Sequence, residues 1–543
     1  MTLRFLLINC TSLLLALALL LPEAIAANKV PTVASLSNAV EISDWRSVRI
    51  ECSRRLKAKP TDVDALAARA RLNLLSGKRK DAIADCDKAL SVSSKYPSAL
   101  FLRGVLLADE GKLQTSKRDL LQFLNVTAAS LDIPTRTRRG HAYEYLNDFK
   151  NAKRENEAVL KDGKLAKSDM DLFFLGQVQL SEGKLKEGQA TMADLLKKHV
   201  DAPFLIAQLA HCDAQSGKTD SALNEFAAVA KQEPNFSANY SGWGSALERQ
   251  NFYNGAIQLY DRALQIDHRN FFAIEHRGLC NSALGNYKLA IDDLNKAVEY
   301  SPGRTGPLLN RAFVHDQNGQ FKESVDDCTR AIALNYQSAK AWYQLACARY
   351  HQKMLKEAKD AVDKALALSP KYPAALCERA WIVKEMGDKE SAYTDFAKAI
   401  QIDKNNSIAY YSRGFMLRED KQYEKSIADL SKAIELDPLN AVNFCARGCT
   451  KVRCRKYKEA VEDCTQSIKL DPERSHPFLS RGQAYLALEK YDWAVKDLSK
   501  AIERYDYVEG YRDRAAAYFK LNKPELARRD LEKVKQLKLA GKD

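Results

Sequence analysis

Four cysteines lie close together in the last quarter of the chain: Cys445, Cys449, Cys454 and Cys464. Thiolates bind zinc and act as nucleophiles, so this group has the most obvious capacity for chemistry. Zinc ligands of this kind usually come as C-x-x-C pairs, whereas three, four and nine residues separate these thiols. The spacing therefore predicts no metal site and no cofactor.

Other residue types that support catalysis form no recognisable constellation. The eight histidines are scattered, with no H-E-x-x-H and no pair four residues apart. The chain also has no G-x-x-x-x-G-K-[ST] and no G-x-S-x-G, and no G-x-G-x-x-G follows a strand signal. The sequence predicts a protein that is not an enzyme.

Length and charge restrict the class of protein further. At 543 residues the chain is too long for one ordinary core, so several domains or a repeat array are expected. The net charge of +14 favours acidic proteins, phosphate-rich polymers or anionic membrane surfaces as partners. Basic and acidic residues are interleaved and no Lys/Arg run occurs, so we expect no nucleic-acid binding.

Residues 1–26 have the pattern of a secretory leader. Arg4 precedes an apolar run that ends at Leu21, and Ala24-Ile25-Ala26 resembles a cleavage site. An uncleaved anchor is the alternative, although polar residues interrupt its 17 residues. The pattern predicts an exported protein, periplasmic or secreted, without stable membrane insertion after cleavage. The Leu-rich leader and eleven remaining cysteines, an odd number, favour a bacterial source.

The rest of the chain repeats itself. Arg413-Gly414, Arg447-Gly448 and Arg481-Gly482 lie 34 residues apart, and continuing at steps of 33 to 36 residues finds a small residue at the second position fourteen times. A second small residue follows twelve residues later in every copy, and a large apolar residue usually precedes by four. The fourteen small residues are Ala70, Gly104, Gly140, Gly176, Ala210, Gly244, Gly278, Ala312, Ala346, Ala380, Gly414, Gly448, Gly482 and Ala515.

Each copy has the periodicity of two helices with one buried face each. Apolar residues recur at i, i+3 and i+4, and Gly285, Gly319 and Gly387 stand where a first helix must end. One helix pair cannot bury its own apolar face, so neighbouring pairs must stack.

This period and this order of large, small, aromatic, small and Pro positions resemble the tetratricopeptide repeat. The resemblance implies an all-α fold, a right-handed α-solenoid superhelix of about 14 helix-turn-helix units. It divides the chain into a signal peptide (1–26), a short linker (27–40), a partial N-terminal repeat or cap (41–60), a more divergent array with longer turns near 120–175 (61–235), and a second array with a capping helix (236–541).

Ten repeats carry an arginine before the small residue, and in all ten the residue 16 positions later is acidic. Of the four repeats without the arginine, three also lack the acid. This covariation predicts a structural ion pair between the two helices of a repeat rather than a binding site. The pairs are Arg69/Asp85, Arg103/Asp119, Arg139/Glu155, Arg277/Asp293, Arg311/Asp327, Arg379/Asp395, Arg413/Asp429, Arg447/Asp463, Arg481/Asp497 and Arg514/Asp530.

The resemblance also implies where a partner docks, because first helices line the concave face of such arrays. Cys445 and Cys449 stand at repeat positions that face this groove, and whether they are reactive or paired stays open. Earlier repeats present a mostly polar set there, such as Arg71, Glu144 and Gln177. The later repeats present an aromatic strip edged by cations: Phe313, Tyr343, Tyr350, Trp381, Tyr411 and Phe415, with Lys384 and Arg418.

An exposed aromatic strip typically marks an interaction site, although a tightly wound superhelix could cover it with its own turns. The sequence thus favours a non-catalytic scaffold that binds a protein or peptide in an aromatic concave groove. The alternative is an envelope or assembly component that binds anionic polymer or membrane through its basic charge. The resemblance excludes one subtype, the carboxylate clamp for chaperone tails, because the phase needing Asn in successive repeats holds it only at Asn310.

Overall fold

The computed structural model describes residues 36–166 and 168–539. The predicted leader and most of the predicted linker lie outside these residues. Thirty α-helices and one short 3-10 turn make up the described fold, which contains no strand. None of these helices has the length and apolar character needed to cross a membrane.

The chain divides into two compact units, residues 1–314 and 315–543, and the division falls within one helix. The first unit contains α1 (Leu36–Ala39), α2 (Trp45–Ala58), α3 (Val63–Leu75), α4 (Arg79–Val92), α5 (Pro97–Asp109), α6 (Leu113–Val126), α7 (Ile133–Tyr145), α8 (Phe149–Asp162), α9 (Asp169–Ser181), α10 (Leu185–Leu196), α11 (Pro203–Gln215), α12 (Thr219–Gln232), α13 (Ser237–Arg249), α14 (Tyr253–Ile266), α15 (Phe271–Ala283), α16 (Tyr287–Tyr300) and most of α17 (Thr305–Gln317).

The second unit begins near the end of α17. Its helices are α18 (Phe321–Leu334), α19 (Ala339–His351), α20 (Leu355–Leu368), α21 (Pro373–Glu385), α22 (Lys389–Ile402), α23 (Ser407–Glu419), α24 (Tyr423–Leu436), α25 (Ala441–Arg453), α26 (Tyr457–Leu470), α27 (His476–Ala487), α28 (Tyr491–Arg504), α29 (Val508–Lys520) and α30 (Pro524–Leu539). Among the described residues the helices form seven consecutive pairs from α3 to α16 in the first unit and six from α19 to α30 in the second, which confirms the predicted all-α repeat fold. The division predicted between residues 235 and 236 stays a prediction.

The small residues bring the two helices of each pair into close contact. A β-carbon on Gly448 would lie 2.7 Å from Cys464 Sγ, and one on Gly414 would lie 2.9 Å from Leu430 Cγ. A residue with positive φ ends the first helix seven positions later in every repeat, and half of these residues are glycine. Glycine adopts this conformation without steric penalty, whereas the other repeats tolerate Asn, Lys, Arg or Glu there.

Nine of the ten predicted Arg–carboxylate pairs are present as hydrogen-bonded ion pairs. Arg413 Nε and Nη2 donate to the two carboxylate oxygens of Asp429 at 2.7 and 2.8 Å, and seven other pairs share this bidentate geometry. The division between the two units separates the tenth pair, Arg311 and Asp327.

Several of these arginines also reach the preceding repeat, which the covariation did not reveal. Arg379 Nη1 donates to Asp363, 16 residues earlier, at 2.8 Å, and Arg277 likewise pairs with Asp261 at 2.5 Å. One guanidinium thus joins its own second helix to the second helix of the repeat before. The pairs stabilise the stacking of repeats as well as each hairpin.

Arg139 shows how the array accommodates a longer turn. Its Nη2 donates to Glu155 at 2.9 Å, while Nη1 donates to the carbonyls of Thr127 and Ser130 at 2.7 and 3.0 Å. These carbonyls belong to the six-residue connection between α6 and α7. Because buried carbonyls need hydrogen-bond partners, the arginine compensates for the two extra residues of this repeat.

Helices far apart in sequence meet inside the first unit. Trp45 of α2 packs edge-on against Phe236 with ring centroids 4.7 Å apart, and Phe204 of α11 stacks on Phe236 at 6.1 Å. Arg79 at the start of α4 pairs with Asp267 after α14, with both side chains about nine-tenths buried. The early repeats of this unit are therefore covered by its later ones.

Candidate aromatic and thiol site

First helices of successive repeats bring three aromatic side chains of the second unit together. The rings of Trp381 on α21 and Phe415 on α23 pack edge-on with centroids 5.8 Å apart, and Tyr411 lies 6.3 Å from Phe415. All three side chains are half-buried. We call Trp381, Tyr411 and Phe415 the aromatic cluster.

Two cations edge the aromatic cluster. Lys384 Nζ lies 5.2 Å from the centroid of the Trp381 ring, and the Arg418 guanidinium lies 4.2 Å from that of Phe415. Lys384 is also paired with Glu419 at 2.8 Å, whereas Arg418 makes no ion pair with the residues that the structure describes. Arg418 is therefore the cation available to an incoming anion.

The remaining residues of the predicted groove make their ring contacts elsewhere. Tyr343 packs against Tyr372 with centroids 5.3 Å apart, and burial raises the pKa of its hydroxyl. Tyr350 lies beside His351 at 5.8 Å. Phe313 belongs to the first unit, where 46% of its surface is exposed. Of the six aromatic residues predicted to form one strip, three thus form the compact aromatic cluster, and the other three make their contacts apart from it.

In the first unit, the groove positions line a partly open cavity. Arg71, Glu144 and Gln177 surround a volume of about 300 Å³. Arg71 Nε donates to Glu41 at 2.8 Å, and its guanidinium lies 5.8 Å from the centroid of the Phe204 ring. Arg71, the cation of this cavity on which an acidic ligand would dock, is therefore already paired within the chain.

Beside the aromatic cluster, a second cavity of about 530 Å³ opens in the later repeats. Arg418 lines this cavity as well as packing on Phe415, so the two features are continuous. Arg453 contributes a second cation and Asp513 an anion, while Leu479 and Leu486 supply apolar wall. The cavity can accept a side chain with both apolar and polar parts.

A thiol–imidazole cluster lies at the wall of this second cavity. Cys445 and Cys449 are four residues apart on α25, with their sulfur atoms 4.0 Å from each other. Cys449 Sγ lies 3.5 Å from Nδ1 of His476, the first residue of α27, and 3.0 Å from Ser480 Oγ. We call Cys445, Cys449 and His476 the thiol–imidazole cluster.

Hydrogen bonding shifts the pKa values of the groups in this cluster in opposite directions. A hydrogen bond from Cys445, with further bonds from His476 and Ser480, holds the pKa of the Cys449 thiol well below its ordinary value. The bond to Cys449 raises the pKa of Cys445, and the pKa of His476 is raised for the same reason. The arrangement favours a Cys449 thiolate beside a protonated imidazole. The thiolate is the form that nucleophiles and metal ligands require, whereas the imidazole binds a metal only after it loses its proton.

Sequence reasoning missed His476, because 27 residues separate it from Cys449. A usable signal was present in the repeat register. In each of two repeats, the residue that follows the small residue contacts a residue of the next repeat, two positions before that repeat's own small residue. Cys449 contacts Ser480 in this way, and Gln483 contacts Asp513. Extending that register to the start of the helix leads to His476.

Four other cysteines match the prediction of small core residues. Cys52, Cys86, Cys328 and Cys464 are buried at equivalent positions of their second helices. Burial raises the pKa of Cys52 and of Cys86 to about 12. No disulfide joins cysteines within residues 36–166 and 168–539.

Comparison with known families supports the repeat assignment. Models of the tetratricopeptide repeat match residues 208–271, 273–304, 339–372, 373–406, 408–438 and 442–474. The matched segments follow the helix pairs from α11 to α26.

Among characterised proteins, the chain is similar to Hsp70-Hsp90 organizing protein 1 of Glycine max, with 25% identity over 267 residues, 48% of this chain and 43% of that protein. Mitochondrial import receptor subunit TOM70 of Homo sapiens is 25% identical over 274 residues, 48% of this chain and 44% of that protein. The chain thus spans under half the length of these relatives. The crystal structure of yeast Tom70 is 17% identical, covering 88% of this chain and 97% of that one with a TM-score of 0.40.

The repeat register and the family matches agree from α11 to α16 and from α19 to α26, and helix pairs continue on both sides. The chain contains tetratricopeptide repeats, matched within residues 208–474.

Proposed function

We propose that the protein is a scaffold that binds an extended, acidic and apolar segment of another protein on the aromatic cluster of its second unit. The observation that carries this proposal is the packing of Trp381, Tyr411 and Phe415 beneath the unpaired cation Arg418. Half-exposed aromatic rings edged by arginine are typical of binding hot spots.

The chemistry of the partner follows from the surface. The aromatic cluster offers apolar faces, and the adjoining cavity accepts an apolar side chain between Leu479 and Leu486. Arg418 and Arg453 favour a carboxylate at the point where the cluster meets the cavity. The net charge of +14 assists the approach of an acidic partner.

The same argument favours the second unit over the first. In the first unit Arg71 is already paired with Glu41, and Phe204 and Phe236 stack on each other. A peptide would have to displace these contacts, whereas the aromatic cluster retains exposed ring surface.

The relatives support a binding role by their names alone. One is named as an organizing protein for Hsp70 and Hsp90, and the other as an import receptor subunit. Their partners are not assigned to this chain, because the phase that a chaperone-tail clamp needs holds Glu378, Ser412 and Ala446 here. We propose a scaffold without catalytic activity of its own.

The test uses short random peptides displayed on phage and selected on the full chain at high salt. Recovered peptides are measured by fluorescence anisotropy against wild type and against a Trp381→Ala/Phe415→Ala double variant. We expect acidic peptides with apolar anchors, and a loss of affinity of about 30-fold, equivalent to the ~2 kcal/mol of a hot spot.

Trp493→Ala provides the matched control, since Trp493 is an aromatic of the same unit that is 58% exposed on the second helix α28. It should leave the affinity unchanged, and circular dichroism establishes that the double variant is folded. Peptides that bind the double variant as tightly as wild type would contradict the proposal.

Salt distinguishes the alternative function, binding of anionic polymer or membrane through the basic surface. Charge-driven binding fades as ionic strength rises, whereas contacts with the aromatic cluster persist. If only polyanions or anionic vesicles bind, and only at low salt, the envelope-component hypothesis replaces the peptide groove.

We further propose that residues 1–26 direct export. Arg4, the apolar run to Leu21 and Ala24-Ile25-Ala26 support this. Expression of the full chain in a bacterium followed by N-terminal sequencing should give a periplasmic protein that begins at Ala27. A membrane-bound product that keeps residues 1–26 would favour the uncleaved anchor.

A further inference from the structure

The thiol–imidazole cluster combines three metal-binding side chains from two repeats. Cys445 and Cys449 come from α25, and His476 comes from the first turn of α27. Their ligand atoms all lie within 4.8 Å of one another. Both thiols are buried, and they lie beside the imidazole. This arrangement is more specific for a metal than a group of acidic residues on an exposed surface.

The distances match those of a tetrahedral zinc ion. Zn–S bonds of about 2.3 Å place two thiolates about 3.8 Å apart, and a Zn–N bond of about 2.0–2.1 Å places sulfur and nitrogen about 3.6 Å apart. The observed separations are 4.0 Å between the sulfur atoms and 3.5 Å between Cys449 Sγ and His476 Nδ1. The third separation, between Cys445 Sγ and the imidazole of His476, is within 4.8 Å, so a metal ion would draw these two groups closer by up to about 1 Å.

Helix geometry disfavours a disulfide as the role of the two thiols. Side chains four residues apart on a helix have β-carbons about 5–6 Å apart, whereas a disulfide requires about 3.5–4.5 Å. A bond between Cys445 and Cys449 would therefore distort α25. A metal ion spans the larger distance without moving the backbone.

We propose that Cys445, Cys449 and His476 form a three-ligand zinc site whose fourth position opens into the adjoining cavity. Thiolate and imidazole are the ligands that Zn²⁺ prefers, and two thiolates with one imidazole are an established set for zinc with an exchangeable fourth ligand. Cys449 and His476 line the cavity of about 530 Å³, so that ligand comes from solvent or a bound molecule.

Two features of the chain support the inference independently of distance. Ser480 Oγ lies 3.0 Å from Cys449 Sγ, so its hydroxyl orients a thiolate ligand from outside the metal site. The edge of the Tyr507 ring packs against His476, with centroids 5.9 Å apart, and this contact fixes the plane of the imidazole. Cys449 is thus supported by a residue of α27, and His476 by a residue that immediately precedes α29.

The experiment measures zinc binding by the metal-depleted full chain in competition with a chromophoric chelator. We expect one Zn²⁺ per chain, with affinity reduced by more than about 100-fold in Cys449→Ser, which exceeds the usual effect of removing a supporting residue. Cys445→Ser and His476→Gln should also weaken binding. Co²⁺ added to the wild type should give the ligand-field bands of a tetrahedral, thiolate-bound ion.

Cys454→Ser is the matched control, because Cys454 is a partly exposed thiol at the end of the same helix and outside the cluster. It should bind zinc as wild type does. Circular dichroism of the metal-free variants separates loss of a ligand from loss of fold, and His476→Gln offers an exposed substitution that leaves the core intact.

Three results would overturn the proposal. The first is that wild type binds no zinc above the level of the Cys445→Ser/Cys449→Ser double variant. The second is a zinc stoichiometry that depends on Cys454. Tight binding of Cu⁺ that is insensitive to His476→Gln, with zinc binding absent, would indicate a two-thiolate copper site in place of the three-ligand zinc site.

Discussion

Arg79 and Asp267 form a buried, doubly hydrogen-bonded ion pair although 188 residues separate them. Arg79 Nε and Nη2 donate to the two carboxylate oxygens of Asp267 at 2.9 and 3.1 Å, and Arg79 Nη1 lies 3.3 Å from Asp109. The pair joins the first full repeat to the sixth. It closes the first unit on itself, and no single repeat specifies it.

We predict that Arg79→Met destabilises the first unit by about 3–5 kcal/mol, because it leaves two carboxylates buried without a cation. Hydrogen exchange of α4 and α14, combined with denaturant unfolding, measures the effect. Arg54→Met serves as control, since Arg54 is 70% exposed and its ion pair with Glu51 lies at the surface, so this substitution should have little effect on stability. Equal effects of both substitutions would contradict the prediction.

The repeated pair Arg413/Asp429 allows a second test. Arg413→Leu alone should destabilise the second unit by about 3 kcal/mol, because Asp429 stays buried. The double variant Arg413→Leu/Asp429→Ala reproduces Leu345/Ala361 of another repeat and should recover most of that loss. Chemical denaturation of wild type, Arg413→Leu, Asp429→Ala and the double variant gives the coupling energy. If the double variant does not recover the loss, the ion pair adds net stability.

Two glycines in the left-handed region differ in their surroundings. Gly285 has φ +79° with open space around it, whereas a β-carbon on Gly77, with φ +73°, would lie 2.2 Å from the Ile266 carbonyl oxygen. Gly285→Ala should cost about 1–2 kcal/mol, the backbone penalty alone. Gly77→Ala should cost clearly more, and thermal unfolding that ranks the two variants equally would mean that the close approach is relieved at no cost.

His351 should make the stability of the second unit depend on pH. Its Nδ1 lies 2.9 Å from Asp316, and this hydrogen bond raises the pKa of His351 above 6.5. A raised pKa in the folded state means that the stabilisation is complete below about pH 6.5 and is lost as pH rises through the folded value. The effect is small, because 43% of the histidine side chain is exposed.

Thermal midpoints of wild type and His351→Gln between about pH 5.5 and 8 measure this dependence. The difference between the two proteins should be largest at the acidic end and shrink towards pH 8. A difference that is constant with pH would show that the imidazole stabilises the unit through packing against Phe321, 5.3 Å away, and not through its charge.

Much of the fold could be predicted because it is local. A 34-residue register sets which faces of two short helices meet, so the small residues, the turn positions and nine Arg–carboxylate pairs were all predictable from spacing. The same register indicated the aromatic positions of Trp381, Tyr411 and Phe415. That they bind a partner stays a prediction.

The sequence by itself determined the helix pairs, their number and the ion pairs that join them, since each depends on contacts within one repeat or with its neighbour. Only the tertiary structure decided that Arg79 meets Asp267 and that Trp45 meets Phe236. The physical reason is that small rotations between stacked repeats accumulate. The sum of these rotations decides which distant side chains come within bonding distance, and local sequence patterns do not specify that sum.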